Sequence, residues 1–248
     1  MPPAPPANWP LELAGDRARG PVPHHTPDPG GAFDAPSIAA HARALGARLT
    51  SAQCDQLDRF ASLLLRWNRV HNLTAITRTD ELVSHHFLDS LSVAGELPAD
   101  PPLRVLDAGA GAGLPGIPLA IALPGHHFTL VDAVSKKSAF MIQARLELDL
   151  QNVEVLHARL EQMVGARFDV IVSRALGSLA TFVSLTRHLL APHGRWIAMK
   201  GRLPRQELAA LPPDVVASRT VTLRVPLLDQ ERHLVLLEPV ASRPEERT

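Results

Sequence analysis

One stretch constrains this chain more than any other: Val105-Leu106-Asp107-Ala108-Gly109-Ala110-Gly111-Ala112-Gly113-Leu114-Pro115-Gly116. A short β-rich run leads into it and an apolar helical run leads out. Glycines at such a junction let the backbone turn sharply and approach a ligand closely, with a helix N-terminus beyond. Asp132 closes the next β-rich run, 25 residues after Asp107. A carboxylate at the end of a second strand can accept both hydroxyls of a ribose. Strand, glycine turn, helix and second-strand acid coincide, which a ligand-free turn would not require.

The flanks fit the same picture. After Pro101-Pro102, β-rich runs are predicted at 103–108, 128–132, 153–157, 168–173, 194–199, 219–225 and 233–237. Helices are predicted between the first five, at 116–122, 135–148 and 178–190, with a short turn at 160–164. Strands alternating with helices specify a parallel sheet covered on both faces. Only residues 226–232 separate the last two runs, so these form an antiparallel hairpin. Upstream, residues 36–100 read as helical. A first helix spans 37–45, and Thr50-Ser51-Ala52-Gln53 is a capping box for a second. Leu57, Phe60, Leu64 and Trp67 then recur at three- and four-residue spacing and mark a core-facing stripe. Thr79-Asp80-Glu81 opens a third helix through His85, His86, Leu88 and Leu91. The first 35 residues hold 9 of the 23 prolines and read as a disordered tail, and residues 241–248 as a flexible C-terminus.

Composition removes whole classes. At 46% apolar the chain is not disordered throughout, and the single Cys54 excludes an internal disulfide framework. The longest uncharged run, 108–131, carries glycines, prolines and two histidines, so it reads as loop plus buried helix, not a membrane span. Nothing after Met1 has the basic flank and apolar core of a signal peptide, and a cytoplasmic location is expected. Lys+Arg and Asp+Glu balance at 25 each, which argues against a general polyanion coat but leaves a local basic face open. Lys136, Lys137 and Lys200 stand against 22 arginines, a bias expected of GC-rich coding, so arginine excess alone does not point to nucleic acid. No Cys/His spacing suits a metal, and His85, His126, His127, His188 and His193 are read as structural.

Two cofactor classes fit the glycine stretch. Gly111, Gly113 and Gly116 match G-x-G-x-x-G, with Asp132 21 residues beyond Gly111, as at a dinucleotide site of an NAD-dependent oxidoreductase. The other phase reads D-x-G-x-G-x-G from Asp107. It places a carboxylate within the strand, which suits the methionine ammonium of S-adenosyl-L-methionine and would repel a pyrophosphate. Asp107 and the C-terminal hairpin favour the second phase. Five parallel strands followed by a hairpin resemble the ordering of the class I methyltransferases. A third possibility is a non-enzymatic protein that keeps this fold for a regulatory ligand.

Six motifs then occur in order: Trp67-Asn68-x-x-x-Asn72-Leu73-Thr74, His86-x-x-Asp89-Ser90-Leu91, the Asp107 to Pro118 glycine motif, Ser173-Arg174-Ala175, Lys200-Gly201 and Glu231-Arg232-His233-Leu234. Together, from about residue 50 to 239, they resemble the RsmG family, also called glucose-inhibited division protein B. The departures from its pattern are minor: Ala110 and Ala112 fill variable glycine-loop positions, and His71 stands where the family often has an aromatic. The resemblance implies a Rossmann-like class I methyltransferase: an α/β fold with a mostly parallel seven-stranded sheet, a C-terminal antiparallel hairpin and an N-terminal helical extension, residues 101–240 binding S-adenosylmethionine. It implies methylation of N7 of a guanine in the decoding-region loop of 16S rRNA, within the small ribosomal subunit or an assembly intermediate. A monomer without metal or membrane partner is expected.

The resemblance also implies cofactor contacts at Gly109, Leu114, Leu160, Glu161 and Arg174. The residues themselves add Asp107, Gly111, Gly113 and Asp132, and place Arg159 with Leu160 and Glu161 at the carboxyl end of the third strand, where open α/β sheets bind ligands. Leu160 is expected to pack inward and offer only its backbone. Guanine N7 carries a lone pair and no proton, so transfer needs alignment and no general base. Arg174 and Lys200, each following a strand, are the candidates for orienting the base. His86 and Asp89, at i and i+3, either close over the site or bond into the core. Arg195, Lys200, Arg202, Arg205, Arg219, Arg224 and Arg232 are a candidate RNA-facing rim.

Overall fold

The helical lead-in is built by the caps its sequence supplies. The protein is described by a computed structural model over residues 33–240. Helix α1 spans Ala35–Ala44, with Asp34 as its N-cap and Pro36 in its first turn. Phe33 packs against the core, so the expected tail boundary at residue 35 lies too far along; an aspartate cap and a first-turn proline start the helix earlier. The rest of that tail and residues 241–248 lie outside the described residues. Helix α2 (Ser51–His71) has the expected capping box: Gln53 N donates to Thr50 Oγ1 at 3.3 Å and Thr50 N to Gln53 Oε1 at 2.8 Å. It ends at Asn72, whose φ of 49° is a conformation asparagine tolerates. Short helix α3 (Thr79–Leu82) runs through a π-helical segment (Val83–Leu88) into α4 (Asp89–Leu91).

Seven strands form one sheet in the order β3-β2-β1-β4-β5-β7-β6. They are β1 (Arg104–Ala108), β2 (His127–Asp132), β3 (Val153–His157), β4 (Phe168–Arg174), β5 (Leu190–Lys200), β6 (Val215–Leu223) and β7 (Arg232–Pro239). The first five are parallel, and β7 runs antiparallel between β5 and β6. The predicted hairpin is therefore present, inserted so that β7 lies beside β5. Helices α5 (Gly116–Ala122), α6 (Ser135–Glu147) and α7 (Leu179–Thr186) make the crossovers. A short α8 (Arg205–Ala209) precedes β6 and was not expected; none of its residues is buried, so it carries no apolar stripe. Strand β5 begins at Leu190, where the sequence predicts helix. The chain there passes close to β4, with Gly194 so near the Phe168 and Asp169 carbonyls that a Cβ would lie 2.9 and 3.0 Å from them.

Both faces are covered, by two apolar clusters. One joins α2, α5 and α6 to the sheet, and in it Phe60 stacks on Phe87 at 5.5 Å and on Phe140 at 6.1 Å. Trp67 packs edge-on against Phe140 at 5.6 Å, as a core residue. The other cluster gathers Trp196, Phe182 and Leu160 around α7. Register aligns the carboxyl ends of the strands: Ala108 with Val131, Asp132 with His157 and Arg174 with Met199. Lys200 pairs with His233 at the same edge. Among the described residues no helix is long and apolar enough to cross a membrane.

Candidate active site

At that edge the glycine loop leaves β1. Asp107 is fully buried at the loop's root, and its Oδ2 accepts the Gly116 N–H at 2.7 Å. Its Oδ1 is buried without a partner among the described residues. Burial pushes the carboxyl up to about 7, against the pull of the Gly116 N–H and the Arg174 charge, with Asp132 adding to the rise. Gly116 is required by contact: a Cβ there would lie 2.8 Å from both Asp107 Oδ2 and Leu130 Cγ. Gly109, Gly111 and Gly113 have φ of 71°, 60° and 74°. A Cβ on Gly111 would meet only the Gly109 carbonyl, at 4.0 Å, so space opens beside it. Leu114 is buried and closes the turn by donating its N–H to the Ala110 carbonyl at 2.9 Å.

Asp132 ties this loop to the start of α6. Its Oδ2 accepts Gly111 N–H at 3.0 Å and its Oδ1 accepts Val134 N–H at 2.8 Å, with Lys137 Nζ 3.6 Å away. Each oxygen keeps a second lone pair, so both remain able to accept a hydroxyl. The third-strand residues divide as their chemistry predicts: Leu160 is buried in the α7 cluster, while Arg159 and Glu161 are exposed.

Arg174 is held by one nitrogen. Its Nη1 donates to the His85 carbonyl (3.2 Å), to His86 Nδ1 (3.3 Å) and towards Asp89 Oδ2 (3.5 Å). His86 Nδ1 lies between the His85 carbonyl (3.1 Å) and Arg174 Nη1 (3.3 Å), and its Nε2 faces Thr74 Oγ1 at 2.7 Å. Burial, helped by the Arg174 charge, lowers the His86 pKa to about 4. Asp89 is buried, which raises its pKa, while Arg174 and Arg232 act in the opposite direction. Its Oδ1 accepts Arg232 Nε at 3.1 Å. The chain of bonds continues through Thr74 N–H to Asn68 Oδ1 (2.9 Å) and Asn68 Nδ2 to the Ile76 carbonyl (3.2 Å). Four motifs distant in sequence thus form a single hydrogen-bonded network.

Lys200 reaches the same edge with its ammonium engaged. It donates to the Gly177 carbonyl at 2.9 Å and to Glu207 Oε2 at 2.8 Å, and Glu207 also accepts Leu179 N–H at 2.7 Å. Its observed contacts fasten the loop after β4, in which Ala175 and Gly177 have positive φ. Sequence reasoning missed Glu207; a lone acid three residues into a polar run gives no periodic signal. The expected basic rim is also broken up. Arg195 and Arg219 both bind Glu96, through its carbonyl and its carboxylate, and Arg232 turns inward to Asp89. Arg202, Arg205 and Arg224 remain exposed. Among the described residues no three His, Cys, Asp or Glu side chains are grouped to hold a metal.

Residues 53–235 match the family model described as rRNA small subunit methyltransferase G. The chain belongs to that family. It is 45% identical over 210 residues to the ribosomal RNA small subunit methyltransferase G of Methylibium petroleiphilum, covering 82% of this chain and 95% of that protein. It is 50% identical over 194 residues to the protein of the same name from Laribacter hongkongensis, covering 78% and 92%. Among solved structures, TrmN from Thermus thermophilus superposes with a TM-score of 0.50 at 20% identity, over 63% of this chain and 53% of that one, a likeness of fold. Family membership decides against the oxidoreductase: the chain is a methyltransferase.

Proposed function

We propose that this chain transfers the methyl group of S-adenosylmethionine to N7 of a guanine in the decoding-region loop of 16S rRNA, on the small ribosomal subunit or an assembly intermediate, as a cytoplasmic monomer. The carrying observation is the carboxylate pair at the glycine loop. Asp107, with one buried oxygen unpartnered, offers an acceptor to an ammonium, and Asp132, with a lone pair left on each oxygen, offers acceptors to a ribose. A pyrophosphate would meet that buried carboxylate with like charge.

When bound, S-adenosylmethionine supplies an electrophilic methyl group on a sulfonium. The protein's part is placement. Asp107 and the 109–114 loop would hold the amino-acid end, Asp132 the ribose, and the backbone of Arg159, Leu160 and Glu161 the adenine edge. Guanine N7 has no proton to lose, so no residue acts as a base. Arg174 keeps Nε and Nη2 for an acceptor at the site, such as guanine O6; a bidentate grip on O6 and N7 would block the nucleophile. Lys200 acts through the loop it fastens. Comparing N7-methylguanine in 16S rRNA from cells with and without the gene tests the reading. Loss of a single N7 methyl on deletion supports it, and an unchanged pattern overturns it. Purified protein given naked 16S rRNA and assembled small subunits then identifies the substrate form.

A further inference from the structure

Among the described residues Asp89 is the only acid bonded to Arg174, and the two arginines it binds are treated differently. Arg232 is engaged through all three of its nitrogens: Nε donates to Asp89, Nη1 to the Glu231 carbonyl at 2.9 Å, and Nη2 to Gln230 Oε1 at 3.2 Å. All the hydrogen bonds of Arg174 leave through Nη1. Its Nε and Nη2 have no partner among the described residues, although its side chain is only 23% exposed. The charges differ in the same way. One carboxylate lies between two guanidiniums, and the histidine beside them is neutral, so the cluster keeps one positive charge. With Arg174 alone, Asp89 would cancel it.

We propose that Asp89 is a positioning residue for methyl transfer: it fixes Arg174 by Nη1 with its remaining donors turned to the site, while Arg232, arriving from the hairpin, balances the carboxylate so that the Arg174 charge stays available there. This rests on the reading of Arg174 as a residue of the transfer site. The backbone supports a special placement. Asp89 directly follows a π-helical segment, a distortion that recurs at functional sites, and that segment also supplies the His85 carbonyl and His86 Nδ1 to the same guanidinium. The three partners are 85 and 143 residues apart in sequence, so one carboxylate joins the lead-in, β4 and β7 at the edge where the ligands meet.

A kinetic cycle separates this role from that of an ordinary ion cluster. Labelled methyl transfer to 16S rRNA is measured for wild type, Asp89→Asn, Arg174→Gln and the double variant, with Asp89→Glu as the conservative control and Arg232→Gln as the charge control. Positioning predicts that Asp89→Asn lowers kcat roughly 10- to 100-fold, as a misplaced site group does, with KM for RNA little changed. It predicts no further loss when Asp89→Asn is added to Arg174→Gln, and partial recovery in Asp89→Glu. Arg232→Gln lowers kcat although it leaves every Arg174 contact in place. The Arg232 Nε–H, bonded to Asp89, is expected to exchange with solvent slowly in the wild type and faster in Asp89→Asn, a readout independent of turnover. If the losses from Asp89→Asn and Arg174→Gln multiply, or if Asp89→Asn only lowers the melting temperature at unchanged kcat, the proposal is overturned and the functional reading stands. A wild-type protein that leaves guanine N7 unmethylated overturns both.

Discussion

Replacing Asp107 with asparagine separates the stability of the free protein from its use of the site. Burial raises this carboxyl from 3.8 to about 7, so between those values the native state holds a proton that the unfolded chain releases. Stability must therefore fall as pH rises through that window, by about 1.4 kcal/mol per pH unit and about 4 kcal/mol in all. The raw wild-type profile will not display this slope, because His86 works against it. Its pKa falls from 6.5 to about 4, so stability is lost as pH drops through that second window. The informative quantity is the difference between wild type and Asp107→Asn. Asparagine Oδ1 can still accept the Gly116 N–H, and no ionisation remains; its buried amide N–H groups cost about 1–3 kcal/mol. At pH 8 the variant is then expected to be more stable by about 1–3 kcal/mol, a rise in urea midpoint of roughly 0.3–1 M at a slope of about 3 kcal/mol/M. Below pH 4 the order reverses. Affinity for S-adenosylhomocysteine falls in the same variant, since a neutral amide cannot pair with an ammonium. Urea titrations of both proteins at half-unit steps from pH 4 to 8 provide the test. A pH-independent difference would show that Asp107 titrates normally and that the buried-carboxylate argument is wrong.

Three other outcomes follow from neighbouring geometry. Asp132→Ala removes an acceptor from two backbone N–H groups and from the ribose, and is expected to weaken S-adenosylhomocysteine binding by about 100-fold or more in calorimetry; unchanged affinity would place the ribose elsewhere. Gly116→Ala puts a methyl 2.8 Å from Asp107 Oδ2 and Leu130 Cγ, and should cost about 1–3 kcal/mol of stability, read as a lower melting temperature. A neutral result would mean that the strand and helix are free to separate. Leu160→Ala empties part of the α7 cluster and should cost about 2–5 kcal/mol while leaving cofactor affinity within a few-fold, because its expected contact is through the backbone. A large loss of affinity without loss of stability would reverse that assignment.

How much of this was legible in sequence depended on whether a signal was local. The Thr50–Gln53 box and the Leu57, Phe60, Leu64 stripe read correctly because cap and period are complete within a few residues. Asp107, Gly116 and Asp132 were legible as a set because strand, turn and helix leave separate marks around them. No local signal marks the Asp107 carboxylate as wholly buried with one oxygen unpartnered among the described residues, since that depends on Leu130 and the helix above it. The start of β5 was misread because its first residues, with Pro192 and Gly194, carry no alternation; only the close approach of β4 makes them a strand. The Asn68, Thr74, His86, Asp89 and Arg232 motifs were visible as spacing. Their physical cause is one hydrogen-bonded network, which through the Asp89 carboxylate joins residues 143 apart and needs the folded chain.

Charge shows the same limit most sharply. A balance of 25 against 25 says nothing of where a polyanion would dock, and the last third looked basic by count. In the fold, Arg195 and Arg219 go to Glu96 and fasten the lead-in to the sheet, Lys200 goes to Glu207 and Gly177, and Arg232 goes to Asp89. Arg219, Lys200 and Arg232 are each paired with a carboxylate and Arg195 with a carbonyl, so much of their bonding capacity is used inside the fold. At the ligand edge Arg174 shares its carboxylate with Arg232, and its charge is buried enough to act over short range and be weakly screened by salt. Charge that is spent on assembly steers little. On the proposed function, discrimination for the base would rest on the oriented Arg174 guanidinium more than on a basic surface, and salt is expected to weaken the encounter with RNA less than a count of 22 arginines implies.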